Sequence, residues 1–240
     1  MTARLRMHMV TPMTASSSLY RLLAWLSPSF PVGAFSYSHG LEFAVEIELI
    51  KNRDDLVAWC ATLLRHGSGL NDAMLFVAAW RARAANNHAL LMEIFELSSA
   101  MRSTSELALE TQAQGAAFTR AIRDAWPHPV LDKPSLQSDY AAPSYPVIVA
   151  LSAHAHGIDM RDALAGYLHA FTANLISAGV RLIPLGQTDG QIALRLLEAD
   201  VAAAVELAEA LPLSEIGSAT PMLDYCSARH ETQYTRLFRS

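Results

Sequence analysis

The sequence predicts an all-α fold, a single-domain helical bundle of about ten helices. Apolar residues recur every three or four positions through most of the chain, the period of a helix with one buried face. No stretch sustains the apolar–polar alternation that a half-buried strand needs. The composition is 52% hydrophobic and 17% charged, against about 25% charged in an ordinary globular domain. That is ample material for a large core in 240 residues, and one domain is the simplest organisation at this length. No internal repeat is visible.

The elements follow in order. The first 18 residues contain Arg4, Arg6, several Ser and Thr and no acid. Such a composition suits a frayed terminus better than an organelle transit peptide, so residues 1–18 are expected to be disordered. Leu19, Leu22, Leu23 and Leu26 sit at helical spacing, and Ser27-Pro28 ends that helix. After Gly40, Glu42, Glu46 and Glu48 mix with Leu41, Phe43, Val45, Ile47 and Leu49, which predicts a second helix. Asn52 can cap the next, with Asp55 favourably placed at the positive end of its dipole. Leu56, Trp59, Cys60, Leu63 and Leu64 form its apolar stripe.

Gly67-Ser68-Gly69 breaks the pattern, and Asn71-Asp72 restarts it with Leu75, Phe76, Ala79 and Trp80 on one face. Asn86-Asn87 is the next break, and Leu90, Leu91, Ile94, Phe95 and Leu97 follow. Ser103-Thr104-Ser105-Glu106 reads as a helix start. The sequence from there to Trp126 is rich in small residues that allow close helix packing. Five prolines make Pro127–Pro146 an irregular connection. Helical patterning resumes over Val147–His156 and Asp159–Ile183 and stops at Pro184. Asp189 or Gly190 then opens another helix, and Asp200–Leu211 follows. The run Ala163–Val180 carries no formal charge. It is barely long enough to span a membrane and reads as a buried core helix.

The net charge of −5 argues against nucleic acid, which requires a basic face. The surplus of apolar residues favours a protein interface instead, and a homodimer is expected. Cys60 and Cys226 form no CxxC pair and read as reduced thiols of a cytoplasmic protein.

The motifs that suggest chemistry are weak. Gly186-Gln187-Thr188-Asp189-Gly190 lacks the lysine of a nucleotide-binding loop and reads as a capped turn. His154 and His156 are two apart, so on a helix they point about 200° apart and do not chelate one ion as an i, i+4 pair would. Ser36 or Ser38 with His39 could supply a nucleophile and a base, but neighbours in sequence rarely form a triad. A small helical enzyme with a site around Ser36–Glu42 is therefore the second reading, and a non-catalytic assembly factor the first. No catalytic residue, cofactor or stable metal site is expected.

Two stretches stand out. In Ser27–Glu42, Pro28, Pro31 and Gly33 forbid a regular helix, yet Phe30, Val32, Phe35 and Tyr37 give it more apolar surface than a solvated loop carries. In Arg229–Ser240, three arginines surround Tyr234, Leu237 and Phe238. Tyr and Arg are enriched in interface anchors. The block reads as a partner-docking tail, mobile when free and separable from the core at residues 19–228.

Ser27, Pro28, Pro31, Val32, Gly33, Phe35, Ser36, Tyr37, Gly40, Leu41 and Glu42 resemble the N-terminal signature of the urease accessory protein UreF family. Pro184–Gln191 and Arg229–Ser240 resemble two further blocks of that family, in the same order. The resemblance implies an all-helical, dimeric, non-catalytic scaffold that binds a UreD/UreH-type accessory protein and recruits a UreG-type GTPase. That assembly would deliver nickel to apo-urease. It also implies that Arg229, His230, Tyr234, Arg236, Leu237, Phe238 and Arg239 dock the UreD/UreH-type partner. Tyr37, His39 and Glu42 would lie among the interaction surfaces.

Overall fold

The computed structural model describes residues 15–132 and 143–240. It contains eleven α-helices and no strand among those residues, so the all-α single-domain expectation holds. The helices are α1 (Ala15–Trp25), α2 (Leu41–Glu46), α3 (Arg53–His66), α4 (Ser68–Ala84), α5 (His88–Ala100), α6 (Ser105–Ala125), α7 (Tyr145–Ala155), α8 (Met160–Leu182), α9 (Gln187–Leu196), α10 (Glu198–Ala210) and α11 (Pro221–His230).

Short polar side chains start several of these helices by accepting the free N–H groups of the first turn. Asn52 accepts from Asp54 and Asp55, Asn87 from Leu90, Thr104 from Leu107, and Asp159 from Arg161 and Asp162. Asp189 acts from inside its helix: its carboxylate accepts from the Gly186 N–H. The Gly186–Gly190 stretch is thus largely the first turn of α9 rather than a loop before it. Asn71 and Asp72 do not start α4, which begins at Ser68; both are buried within it. The second helix is shorter than the apolar pattern suggests. It stops at Glu46 because the chain turns there, with Glu48 at φ 58°.

α4 is the central helix, packed against α3, α5, α7, α8 and α10. The apolar interior divides into two clusters. The larger holds Trp25, Phe76, Phe118, Ile148 and Leu164, and the smaller holds Leu41, Leu56, Leu175, Cys226 and Phe238. α8 joins them, with Leu164, Tyr167 and Leu168 in the first and Leu175, Ile176 and Ala178 in the second. α8 is long and apolar enough to cross a membrane by length and composition. Half of its most apolar window is nevertheless buried inside the protein, as a core helix requires. α6 meets the start of α7 at Gly115, where a Cβ would collide with the Pro143 carbonyl oxygen.

Residues 1–14 and 133–142 lie outside the described residues, and with them most of the expected N-terminal tail and the middle of the Pro127–Pro146 connection. Ser16–Ser18, placed in that tail by composition, are the first turns of α1. Cys60 and Cys226 are both buried free thiols. Burial pushes Cys60 up to about 12 and Cys226 up to about 11, so neither is a thiolate near neutral pH.

Candidate functional site

The Ser27–Glu42 segment and the chain beyond Pro221 meet in space. Pro28 and Pro31 leave the segment in turns, and Gly33 at φ 73° starts a single 3₁₀ turn, Ala34–Ser36. His39 (φ 58°) and Gly40 (φ 78°) then reverse the chain into α2. A positive φ is costly for histidine and needs the surrounding bonds to hold it. Gly40 has a second reason to be glycine. A Cβ there would lie 2.8 Å from the Ser227 backbone nitrogen, so the backbones of α2 and α11 come into direct contact.

Pro221 does not separate the last block from the body, as the sequence suggests. It opens α11, which carries Arg229 and His230, and the chain beyond folds back over α2 and α6. In the structure the last block is thus packed on the body of the protein. His230 and Ser240 are fully buried, and Phe238 is 4% exposed. The Arg239 N–H donates to the Ser36 carbonyl at 2.8 Å, and the Ser38 N–H to the main-chain oxygen of Ser240 at 2.8 Å. The Ser38 hydroxyl donates to the same oxygen.

Three buried carboxylates hold this segment. Glu42 accepts from the Leu237 N–H at 2.6 Å and the Phe238 N–H at 2.9 Å, and its Oε2 lies 2.9 Å from His230 Nε2. Glu106 faces His230 Nδ1 at 2.7 Å and accepts from Arg236 at 2.7 Å. Glu110, one turn further along α6, accepts from the Ser240 hydroxyl at 2.7 Å and from Gln114 at 3.2 Å, with His39 Nδ1 at 3.3 Å. Burial alone would raise the Glu110 carboxyl. The charge and hydrogen bond of His39, the Ser240 hydroxyl and the Arg102 charge outweigh it and hold the group below the usual carboxylate range. Burying charge is tolerable only when it is paired and hydrogen-bonded in this way.

The candidate residues therefore fall into two layers. Tyr37, His39, Glu42, His230 and Phe238 are buried. Burial raises the Tyr37 hydroxyl, with Arg239 opposing and Glu110 adding to the effect. The Arg181 guanidinium caps the Phe238 ring at 4.3 Å. Above them Arg229, Tyr234, Arg236, Leu237 and Arg239 are exposed. Tyr234 is bare and Leu237 is 65% exposed, as is Phe35 of the signature segment. α11 adds a stripe one face wide, Met222, Tyr225 and Arg229, with both apolar members about half exposed. Arg229 reaches the ring of Phe43 at 5.9 Å.

Sequence reasoning missed Glu110 and Arg181 altogether, and the bonds by which Ser38 and Glu106 hold the last residues. Glu106, Glu110 and Gln114 recur every four residues on the buried face of α6. Acidic residues in register with an apolar stripe are the one signal that could have found them.

The serine–histidine reading takes an unexpected form. Ser36 donates to Gly33 and Ser38 to Ser240, so neither meets His39. His39 Nε2 instead lies 2.6 Å from the Ser68 hydroxyl, with Glu110 on its other nitrogen. That is the bonding order of a catalytic triad. The space beside Ser68 is a cavity of about 40 Å³, and a water takes up roughly 30 Å³ of liquid. The network ties both ring nitrogens of His39 and holds its left-handed turn in place. His154 and His156 diverge as expected, His154 onto Trp80 and His156 onto Trp25. Among the described residues no three His, Cys, Asp or Glu stand close enough to share a metal ion.

The class that fold and site define is an all-α protein whose last residues carry an exposed apolar and basic surface. The UreF family model matches residues 50–198. A urease accessory protein UreF of Granulibacter bethesdensis is 50% identical over 230 residues, covering 96% of this chain and 97% of that protein. One from Bradyrhizobium sp. strain BTAi1 is 48% identical over 242 residues and covers both chains completely. One from Rhodopseudomonas palustris strain BisB5 is 48% identical over 225 residues, 94% of this chain and 92% of its own. The chain belongs to the UreF family of urease accessory proteins, and its role lies in urease maturation.

Proposed function

We propose that this chain is a non-catalytic scaffold of the nickel-delivery assembly. In this reading it bridges a UreD/UreH-type accessory protein and a UreG-type GTPase, and regulates GTP-dependent insertion of nickel into apo-urease. Nickel is cargo here. The chain works in the cytoplasm as a homodimer, and its surplus of apolar residues supports that assembly. The observation that carries the reading is the two-layered surface over the carboxylates. Tyr234 and Leu237 stand in solvent on a segment whose neighbours Phe238 and Ser240 are buried. Apolar anchors fixed in place before binding lose little entropy on docking.

Tyr234, Leu237, Arg229 and Arg239 contact the UreD/UreH-type partner, whereas Glu42, His230, Phe238, His39 and Tyr37 present them from beneath. The test is capture of that partner by a Tyr234→Ala, Leu237→Ala double variant. Affinity falls at least about 30-fold, the loss of one anchor of about 2 kcal/mol, while the helical spectrum and thermal midpoint are unchanged. Capture at the wild-type level by the folded variant would refute the assignment.

A further inference from the structure

α1 is held to the rest of the protein by one side. Leu22 and Trp25 are buried, whereas Leu19, Tyr20 and Leu23 are exposed. Its backbone makes no close approach to another helix of the kind that joins α4 to α7. Trp25 lies among Phe118, Trp126 and His156 with its indole N–H unbonded. Arg21 ties the helix to the end of α7: its Nη1 lies 2.8 Å from His156 Nδ1.

That contact fixes the state of the imidazole. A guanidinium only donates, so Nδ1 accepts and carries no proton. The proton of the neutral ring is on Nε2, which donates to the Trp126 carbonyl at 3.1 Å, where α6 ends. A second proton, added at Nδ1, would set two donors and two positive charges face to face across 2.8 Å. The surroundings do not compensate. The charges that act on His156 are those of Arg21 and His128, and both disfavour the imidazolium. The His128 ring is 5.2 Å from that of His156. It meets Arg83 and Arg21, with Asp132 as the one opposing acid. His154, on the same helix, meets Arg83. Asp159, just beyond, accepts instead from the first turn of α8, at Arg161 and Asp162. The ring can therefore charge only by parting from Arg21. We propose that α1 is an acid-released element: protonation of His156 at Nδ1 breaks its bond to Arg21 and frees α1 from the ends of α6 and α7, while the other helices stay packed.

The released form binds the proton first. With α1 in place His156 titrates at about 4, against an ordinary 6.5. Release is therefore favoured as the pH falls through 6.5, and the gain levels off below about 4. From pH 7.5 to 4.5, His156 alone raises the ratio of released to bound α1 about 70-fold.

Hydrogen exchange on the full chain, corrected for the intrinsic rate at each pH, tests this. At pH 7.5 the amides of Leu19–Trp25 are protected, but at least about 100-fold less than those of α8, because α1 opens by itself. At pH 4.5 their protection is about 70-fold lower. His156→Gln can keep both bonds, Oε1 accepting from Arg21 and Nε2 donating to Trp126, and it cannot charge. Its α1 protection changes less than about threefold over the same range. Three results overturn the proposal: α1 as protected as α8, α1 unprotected already at pH 7.5, or α1 protection that falls equally in the folded variant and in the wild type. Imidazole NMR of the wild type tests the premise even if the variant does not fold. At pH 7 His156 is the neutral Nε2–H tautomer, and an Nδ1–H tautomer or an imidazolium there would also overturn the proposal.

Discussion

The larger apolar core and the polar junction under the last residues are equally buried but built by opposite means. Around Phe118 the contacts are between rings and aliphatic side chains: Trp25 at 6.4 Å, Phe30 at 5.2 Å and Tyr145 at 5.7 Å. Around His230 the side-chain partners are two carboxylates, Glu42 and Glu106, and Glu106 in turn accepts from Arg236. Dispersion is non-directional and forgiving of shape. A buried carboxylate demands its partners at fixed distances. The core can therefore accept changes of shape that keep its volume, whereas the junction depends on the particular groups it holds. The junction is where the candidate docking surface is set.

Four measurements would break or sharpen this contrast, and denaturant unfolding reads the first two. Phe118→Ala empties the centre of the large core and costs about 3–5 kcal/mol. Glu42→Gln, with nearly the same shape, costs about 1–3 kcal/mol because the charge that His230 and two backbone N–H groups share is lost. A conservative core change, Ile148→Val, costs only about 0.5–1.5 kcal/mol. If the shape-preserving change at Glu42 is no more costly than the one at Ile148, the contrast fails.

The third measurement is pH. His156 sits against Trp25 with Arg21 2.8 Å from its Nδ1. Burial, the Arg21 charge and the His128 charge lower it from 6.5 to about 4. The unfolded chain thus binds the proton first, and stability falls as the pH drops from 6.5 towards 4. His156→Gln removes that part of the slope, and melting curves across this range detect the change. The smallest effect on stability is that of Tyr234→Ala, within about 0.5 kcal/mol, because the ring is fully exposed. Its effect is on partner capture, and a large loss of stability would place the ring in the core instead.

The same contrast explains what the sequence could convey. Helical period, Asn52 as a cap, a helix start within Ser103–Glu106 and the break at Gly67 depend on residues a few positions apart, and all are found in the structure. The role of α11 was hidden because Pro221 reads equally as a stop or as the first residue of a helix. The junction was hidden for a stronger reason. Glu42 and His230 are 188 positions apart, and Glu106 and His230 are 124 apart. Neither periodicity nor spacing reports such pairs. Glu42 and His230 came to attention through the family resemblance, and what they bond to came only from the structure.

The bond between Glu42 and His230 also has a consequence in time. A ribosome adds about 5–20 residues per second. The Glu42 carboxylate therefore emerges roughly 10–40 s before the histidine that will face it has been made. Through that interval the signature segment has no lid, and Phe43 and Leu41 lack the α11 surface that buries them. The helices between can dock as they appear, but the region around Glu42 must wait for nearly the whole chain. A nascent chain stalled before α11 would display that unclosed surface to chaperones and proteases. The last turn of α11 supplies the histidine that closes this surface.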